Sequence, residues 1–452
     1  MKIIIVGCGR VGQTLAAELN NEGNDIIVVD QNPIKVKEVA IKYDLMGVIG
    51  NGATRDTQKE AGVDTADLLI AVTGSDELNL LCCVMAKKAG NCQTIARVKS
   101  PEYAQDSPYL KDELGLAMVI NPEYEAAKEI SRIMSFPSAI KVDVFAKGRV
   151  ELLKFRIPEH SPLVGLSVRE AMTKFRCNVL ICTVERGDES FIPRGSFVFA
   201  ERDIISIIGA PKSALAFFAK IDKKIEPVKD VIIIGADNIT YYVCEMLSRA
   251  GIAVKVIDKR LDRCEEICTR FDNVTVINAD HSDEATLREE GVKNTDAFIS
   301  LTGLDEENIL LSLYAKNEGA KKVVTKINRI EYDEVIARME LDSIIYPKNI
   351  TAAMILRYVR ATNNTLGSSM ETLYTVIKGQ VVAAEFSVGT RSPIAGRPLS
   401  ELSLRENVII AAILRGKSII FPRGSDVIEP GDSVVVVTKL LGIKDVSDII
   451  QK

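Results

Sequence analysis

At 452 residues the chain is too long for one hydrophobic core and implies roughly two to four domains of about 100–200 residues each. Its 47% hydrophobic and 26% charged residues are ordinary for a globular protein, and a net charge of −5 argues against a nucleic-acid binder, which carries a basic surplus. No stretch approaches the ~18 uninterrupted apolar residues of a membrane span. Lys2 enters a strand with no charged-then-apolar leader, so no signal peptide is expected and any membrane role must come through a partner.

The first part of the chain alternates strands and helices. IIIVG (3–7), IIVVD (26–30), LLIAVT (68–73) and TIARV (94–98) are short branched apolar runs, and residues 11–22 and 76–88 between them carry helical spacing. That alternation predicts a parallel sheet with helices on both faces. NPEYEAAKEISRIM (121–134) closes this lobe, with Pro122 suited to the first helical position, where a missing N–H costs no hydrogen bond. Phe136–Pro137 then marks a linker. Beyond it, VELLKFRI (150–157), NVLICTVERG (178–187) and DIISIIG (203–209) read as near-alternating strands flanking one short helix at 167–175, an α+β module. A stretch at 223–229 containing Pro227 separates this unit from the rest of the chain.

The rest of the chain is a second copy. Gly7 matches Gly235 and Asp30 matches Asp258 at one spacing; Thr73 matches Thr302 and Asn79 matches Asn308 one residue further on. FIPRG (191–195) aligns with IFPRG (420–424), and Asp203 with Asp432. PKNITAAMILRYVRA (347–361) closes the second parallel lobe as residues 121–134 close the first, and the polar run 362–369 is the next linker. The repeat is too long for a solenoid and means two copies of a two-domain unit. The expected fold is therefore α/β: two Rossmann-like parallel-sheet lobes, each followed by a small α+β lobe, in tandem. The expected boundaries are 1–136, 137–225, 229–362 and 363–452.

Gly7, Gly9 and Gly12 form G-x-G-x-x-G directly after a strand and at the start of a helix. The first glycine allows the tight turn, the second lets a pyrophosphate approach the backbone, and the third lets the helix pack close to the strand. Asp30 ends the second strand at the distance expected of a carboxylate that accepts hydrogen bonds from ribose hydroxyls. Its charge disfavours a 2′-phosphate, so NAD or an adenine mononucleotide is expected rather than NADP. Asn51, Gly52, Ala53 and Thr54 follow the third strand, and Thr73, Gly74, Ser75 and Asp76 the fourth, at the carboxyl ends where ligands sit in such sheets. Asp76 equally suits a helix-capping role. Arg10 and Arg97 are candidates to neutralise phosphate or ordinary surface arginines.

In the second copy Gly9 has become Asp237 and Gly12 has become Thr240. A carboxylate at the pyrophosphate position repels it, so this site is expected to be empty, weaker or altered in ligand, with Gly235, Asp258, Thr302, Gly303 and Lys326 as its remaining candidates. The nine cysteines form no CxxC pair and fit reduced thiols. Cys264 and Cys268 share a helix face without a histidine nearby, which favours a structural role over metal binding. Only His160 and His281 are histidines, which limits acid–base chemistry near neutral pH.

In combination, GCGRVG, Asp30, GNGAT (50–54), TGSDELN (73–79) and IARV (95–98), repeated in the same order, resemble the TrkA family of Trk potassium-uptake regulatory subunits over essentially the full length. That resemblance implies tandem RCK units, no catalytic or metal-ligating residues, and binding of NAD(H) and of adenine nucleotides such as ATP or ADP. It also implies a peripheral cytoplasmic protein at the inner face of the cell membrane. There it would assemble as a homo-oligomeric ring, a tetramer of tandem units, beneath a potassium-conducting membrane subunit whose conduction it controls. Carried over, Gly7, Gly9, Arg10, Val11 and Gly12 line the phosphate site, Asp30 holds ribose, Thr73, Gly74 and Asp76 the middle of the ligand, and Arg97 its charged end. The small lobes resemble modules that bind a cyclic dinucleotide in related regulators, with no residues assignable here. The competing readings are an NAD-dependent oxidoreductase and a scaffold merely stabilised by nucleotide, because fold alone does not fix function.

Overall fold

The computed structural model describes residues 1–90, 92–105, 107–221, 227–328, 333–339, 341–363, 370–377, 379–443 and 445–451. Residues 222–226 and 364–369, which hold most of the two linkers expected at 223–229 and 362–369, lie outside the described residues.

Four sheets succeed one another along the chain. The first comprises β1 (Lys2–Val6), β2 (Asp25–Asp30), β3 (Met46–Ile49), β4 (Leu68–Ala71), β5 (Gln93–Arg97) and β6 (Met118–Ile120). The second comprises β7 (Ala139–Phe145), β8 (Val150–Arg156), β9 (Val179–Arg186), β10 (Glu189–Phe191) and β11 (Ile204–Gly209). The third comprises β12 (Asp230–Ile234), β13 (Ala253–Asp258), β14 (Val274–Asn278), β15 (Ala297–Ser300), β16 (Val323–Lys326) and β17 (Ser343–Ile345). The fourth comprises β18 (Met370–Ile377), β19 (Val381–Ser387), β20 (Val408–Arg415), β21 (Ser418–Ile420) and β22 (Ser433–Thr438). These are the expected parallel and mixed lobes in tandem. The short strands β6 and β17 are additions, since three residues are too few to show a periodicity. By spatial contact the elements form two compact units, Met1–Ser131 with Lys229–Leu356, and Arg132–Val228 with Arg357–Lys452.

The unit of the two parallel sheets has the order β3-β2-β1-β4-β5-β6 in one lobe and β14-β13-β12-β15-β16-β17 in the other. Ile3, Ile4, Ile5, Leu68, Leu69 and Ile70 are all essentially inaccessible, as strands covered by helices on both faces require. In each lobe the order reverses between the first and fourth strands, which opens a crevice at their carboxyl ends. The lobes touch through the start of the helix Pro122–Ser135. Asn121 Nδ2 donates to the buried Tyr242 hydroxyl at 2.9 Å, and the Tyr124 and Tyr242 rings meet edge to face at 5.4 Å. Pro122 opens that helix, and Asn121 Oδ1 caps it by accepting from Tyr124 N at 2.8 Å.

The other unit holds the two antiparallel sheets, ordered β10-β9-β11-β8-β7 and β18-β19-β22-β20-β21. The first is backed by the helices Val168–Phe175 and Pro211–Ile221 over a core that includes Phe155, Phe175, Phe217 and Phe218. In the fourth sheet's lobe, the short 3₁₀ turns Leu399–Glu401 and Val446–Ile449 are the helical segments among the described residues. The two sheets share an apolar cluster in which Phe145, Leu152 and Ile208 meet Val381, Ala411 and Val435. The Glu385 carboxylate crosses this seam, accepting from Ala146 N at 3.2 Å and Ser433 Oγ at 2.7 Å.

One polar fixture is duplicated within this unit. Arg186 forks onto Asp203 with Nε–Oδ1 and Nη2–Oδ2 distances of 2.8 Å each, and Arg415 forks onto Asp432 at 3.0 and 2.9 Å. In both cases the carboxylate also accepts a backbone N–H, from Ala200 or Glu429, and the guanidinium donates to a carbonyl, of Val198 or Val427. Both carboxylates are buried, so each bond is charge-assisted at one sheltered end. Replacing Asp432 with Ala should destabilise the protein by about 2 kcal/mol in denaturant unfolding, because Arg415 and Glu429 N both lose their acceptor. A change within about 0.5 kcal/mol would show the fork to be ornamental.

Candidate functional site

The first lobe's glycine turn is built by two close backbone approaches. Gly7 lies at φ +112°, and a Cβ there would stand 3.0 Å from Thr73 N and from Val72 C and O. A Cβ on Gly12 would stand 1.8 Å from the Gly7 carbonyl oxygen, so the helix Arg10–Asn21 reaches its strand only because that residue is glycine. Gly9 differs: its φ of −73° suits any residue, and a Cβ there meets nothing within 4 Å. Its bareness serves access rather than packing.

Above the turn lies a cleft of about 580 Å³ that runs across the carboxyl ends of β1 to β6. Gly7, Gly9, Arg10 and Val11 form its floor; Asp30, Gln31, Lys35, Gly50 and Gly52 line one end; Thr73, Gly74, Leu78, Arg97, Pro122 and Glu123 line the other. Three residues of the second parallel lobe, Asn328, Lys348 and Thr351, complete the wall. Arg10 Nη1 already reaches across to the Asn328 carbonyl at 3.1 Å.

Each charged group has a definite setting. Asp30 accepts Cys8 N at 2.8 Å on one oxygen and Asn32 N at 2.9 Å on the other, so it braces the turn and keeps a further lone-pair site on each oxygen. Arg97 donates through Nη2 to the Thr73 carbonyl, its Nε is buried without a partner, and burial lowers its pKa. Glu123 has a sheltered Oε2 without a partner. Burial lifts its pKa from the usual 4.5 to about 7, opposed by its own backbone N–H, Lys99 and Arg97 and abetted by Asp76.

Several expected residues stand elsewhere. Asp76 is buried and is not among the residues that line the cleft; its Oδ2 accepts Lys99 N and Ser100 N at 2.8 Å each and pins the segment after β5, while its Oδ1 is sheltered without a partner. Asn51 turns its Oδ1 onto Ala53 N at 3.0 Å, and Ala53 packs into the core; Gly50 and Gly52 are the loop residues that reach the cleft. Gly12 is spent on helix packing. Thr73 lines the cleft, but its N–H and Oγ1 are both committed to Asn79 Oδ1 at 2.7 Å. Glu123, Lys35, Lys348 and Asn328 line the cleft without belonging to any motif singled out in the sequence. Glu123 and Lys348 were within reach, since each follows a proline that opens a helix just beyond a strand end.

With this geometry, the comparisons with known proteins become specific. The TrkA-N domain model matches residues 3–122 and 231–347, and the TrkA-C domain model residues 152–222 and 383–451. The chain is 31% identical over 444 residues to the Trk system potassium uptake protein TrkA homolog 1 of Methanosarcina mazei, covering 96% of this chain and 97% of that one. It is 32% identical over 442 residues to the Trk system potassium uptake protein TrkA of Haemophilus influenzae, covering 96% and 95%. The chain belongs to the TrkA family. Among solved structures, a GsuK channel bound to NAD superposes with a TM-score of 0.63 at 18% identity, over 97% of this chain and 76% of that one, which shows a shared fold.

The second TrkA-N lobe keeps the frame of the first and sets a chain of ion pairs across it. Gly235 lies at φ +98° against Leu301 and Thr302, and Asp258 accepts Ala236 N at 2.6 Å as Asp30 accepts Cys8 N. Thr240 stands where Gly12 stands, and its Oγ1 donates to the Gly235 carbonyl at 2.5 Å, so the helix rests on a hydroxyl instead of on bare backbone. Arg260 grips Asp258 through N, Nε and Nη2 and reaches Asp237 at 3.0 Å; Lys326 approaches Asp237 from the other side at 3.6 Å. A chain of ion pairs thus runs from the end of β13 to the end of β16. Burial raises the pKa of Asp258, but the Arg260 and Ala236 hydrogen bonds and the Arg260 charge outweigh it and leave it at about 2. Thr302 N is bound by Asn308, and Lys326 Nζ also donates to the Leu301 carbonyl at 2.7 Å; a Cβ on Gly303 would meet nothing within 4 Å.

The first lobe offers two tests. Gly9→Asp should change unfolding free energy by less than about 0.5 kcal/mol, whereas Gly12→Ala should cost about 3 kcal/mol or prevent folding, measured side by side in denaturant. Glu123 should make stability fall as pH rises from 4.5 to about 7, because over that range the unfolded carboxyl ionises while the sheltered folded one keeps its proton. Glu123→Gln should remove roughly 2 kcal/mol of the difference between pH 5 and pH 8. Parallel stability curves for the two proteins would contradict this.

Proposed function

We propose that this chain is a nucleotide-sensing regulatory subunit of a Trk-type potassium uptake system, and that the first lobe's cleft holds NAD(H), ATP or ADP. The observation that carries the reading is the asymmetry between two copies of one frame. The first copy leaves an open, bare-backboned cleft over a glycine turn, and the second fills the matching place with its own Asp237, Arg260 and Lys326. Gly7, Gly9, Arg10 and Val11 would cradle phosphates, Asp30 would take ribose hydroxyls, and Thr73, Gly74 and Arg97 would border the far end. NAD bound to a GsuK channel of the same fold supports a dinucleotide in such a lobe.

On this reading the cleft holds its ligand without reacting with it. His281 lies in the second lobe against Glu307 at 3.2 Å, and His160 sits in the other unit at φ +62°. Neither lines the cleft. This favours a sensor over an oxidoreductase. Among the described residues no helix is long and apolar enough to cross a membrane. On this reading the lobes 1–136, 137–225, 229–362 and 363–452 assemble into a ring of tandem units, a tetramer, on the inner face of the cell membrane. The ring acts there on a potassium-translocating membrane subunit. Ligand would act by binding one arrangement of lobes more tightly than another.

Gly9→Asp is the clean test, because nothing in the fold needs that glycine. Titration calorimetry should show binding of ADP and NAD weakened by at least roughly 100-fold. Potassium uptake by cells carrying the variant with its membrane subunit should change accordingly. Lost binding with unchanged uptake would favour the scaffold reading.

A further inference from the structure

We propose that the first lobe's cleft couples nucleotide binding to pH through Glu123: an anionic nucleotide is held with the Glu123 carboxyl neutral, so binding takes up a proton. The inference rests on the nucleotide-binding reading above and adds to it a regulation of that same site.

Position comes first. Glu123 follows Pro122 at the start of the helix Pro122–Ser135 and lines the cleft at the end it shares with Thr73, Gly74 and Arg97. With ribose at Asp30 and phosphates over Gly7 and Gly9, a diphosphate or triphosphate tail would point from the glycine turn toward that end. The Glu123 carboxyl thus stands in the wall that the tail approaches.

The setting of the carboxyl comes second. Its Oε2 is shut away from solvent and has no hydrogen-bond partner. An oxygen placed so is poorly stabilised as an anion, because it has lost water and gained no donor in return. The cations around it are directed elsewhere. Arg97 Nη2 turns to the Thr73 carbonyl, and Lys99 Nζ donates to the Gly74 carbonyl at 3.2 Å. From the second lobe, Lys326 donates to the Leu301 carbonyl at 2.7 Å and approaches Asp237, and Lys348 lines the same cleft. On its own helix Glu125 pairs with Lys128 at 2.7 Å. Asp76 adds a second carboxylate to the surroundings, and the Tyr242 hydroxyl of the second lobe accepts from Asn121 Nδ2 at 2.9 Å. Burial outweighs the pull of Glu123's own backbone N–H, Lys99 and Arg97 and lifts its pKa from 4.5 to about 7.

The direction of the coupling follows. Without ligand the carboxyl is mostly neutral below pH 7 and mostly ionised above it. Phosphate in the cleft brings further negative charge and strengthens the carboxyl's hold on its proton. Above pH 7 the bound form therefore carries a proton that the free form has lost, and affinity falls as pH rises.

The test is calorimetry of the full chain with ADP, on wild type and Glu123→Gln, with a chelator present so that no metal cation takes the proton's place. At pH 8 the phosphates of ADP are already ionised, so heats compared between HEPES and Tris report protons taken up by the protein. Wild type should take up more than about half a proton per ADP and bind roughly tenfold more weakly at pH 8.5 than at pH 6.5. Glu123→Gln, neutral at every pH, should take up almost none and keep its affinity within about twofold across that range. Wild type that binds ADP without proton uptake would overturn the role of Glu123 whether or not the variant folds, as would equal uptake by both proteins, and either result leaves the nucleotide site standing. Failure of wild type to bind ADP at either pH would remove both.

Discussion

The contact between the helix Arg10–Asn21 and the backbone of the turn at Gly7 governs the open lobe. With no side chain at Gly12, the helix lies against the Gly7 carbonyl, and the backbone of the turn faces the cleft. Asp30 then holds the turn from the side by taking Cys8 N. The second lobe shows what one added group does. Thr240 keeps the helix attached through its hydroxyl, and the lobe folds around the same strand order. Gly12 is thus a requirement of the close packing of helix on turn in the first lobe, and the strand order does not depend on a glycine there.

Which contacts the two copies share separates scaffold from site. Asn79 and Asn308 each join the end of the fourth strand to the end of the fifth; Asp76 and Asp305 each accept a backbone N–H from the segment after the fifth. The Arg–Asp forks of the small lobes are likewise kept. These are buried polar groups whose loss leaves partners stranded, so both copies retain them. Gly9 against Asp237, Asn32 against Arg260 and Glu123 against Lys348 differ; Gly9, Glu123 and Lys348 line the first lobe's cleft, and Asp237 and Arg260 pair with each other in the second.

Most of the architecture was legible because its signals are local. Branched apolar runs bounded by glycine and aspartate gave most of the long strands, though not β7, and one of the two helices of the first small lobe; prolines gave the starts of the closing helices, and the repeat gave the tandem plan. The strands β6 and β17 were too short to register. Within the site, Gly7, Gly9, Arg10, Val11 and Asp30 could be read from one motif and its spacing. Asp76 could not, because the same residue type at a helix start serves ligand or scaffold equally well; the structure adds that its Oδ2 takes the Lys99 and Ser100 N–H groups. Asn328 could not either, since its place in the first lobe's cleft is a property of how two copies meet, whereas Lys348 could at least be placed at a helix start just beyond a strand end.

That meeting explains why an ion-paired second copy persists. Two lobes related as copies would each offer the corner beyond their fifth and sixth strands to the other's glycine turn. If both turns were open, two ligands would bind and each would feel a similar setting. Here one turn carries a carboxylate held by Arg260 and Lys326, so the charges of the second turn are balanced within the lobe itself. Its corner meets the first lobe through Asn328 on Arg10, and Lys348 stands in the cleft wall. On the proposed reading, a ligand in the first cleft would touch both lobes at once, and any difference in its affinity for their arrangements would bias one over the other.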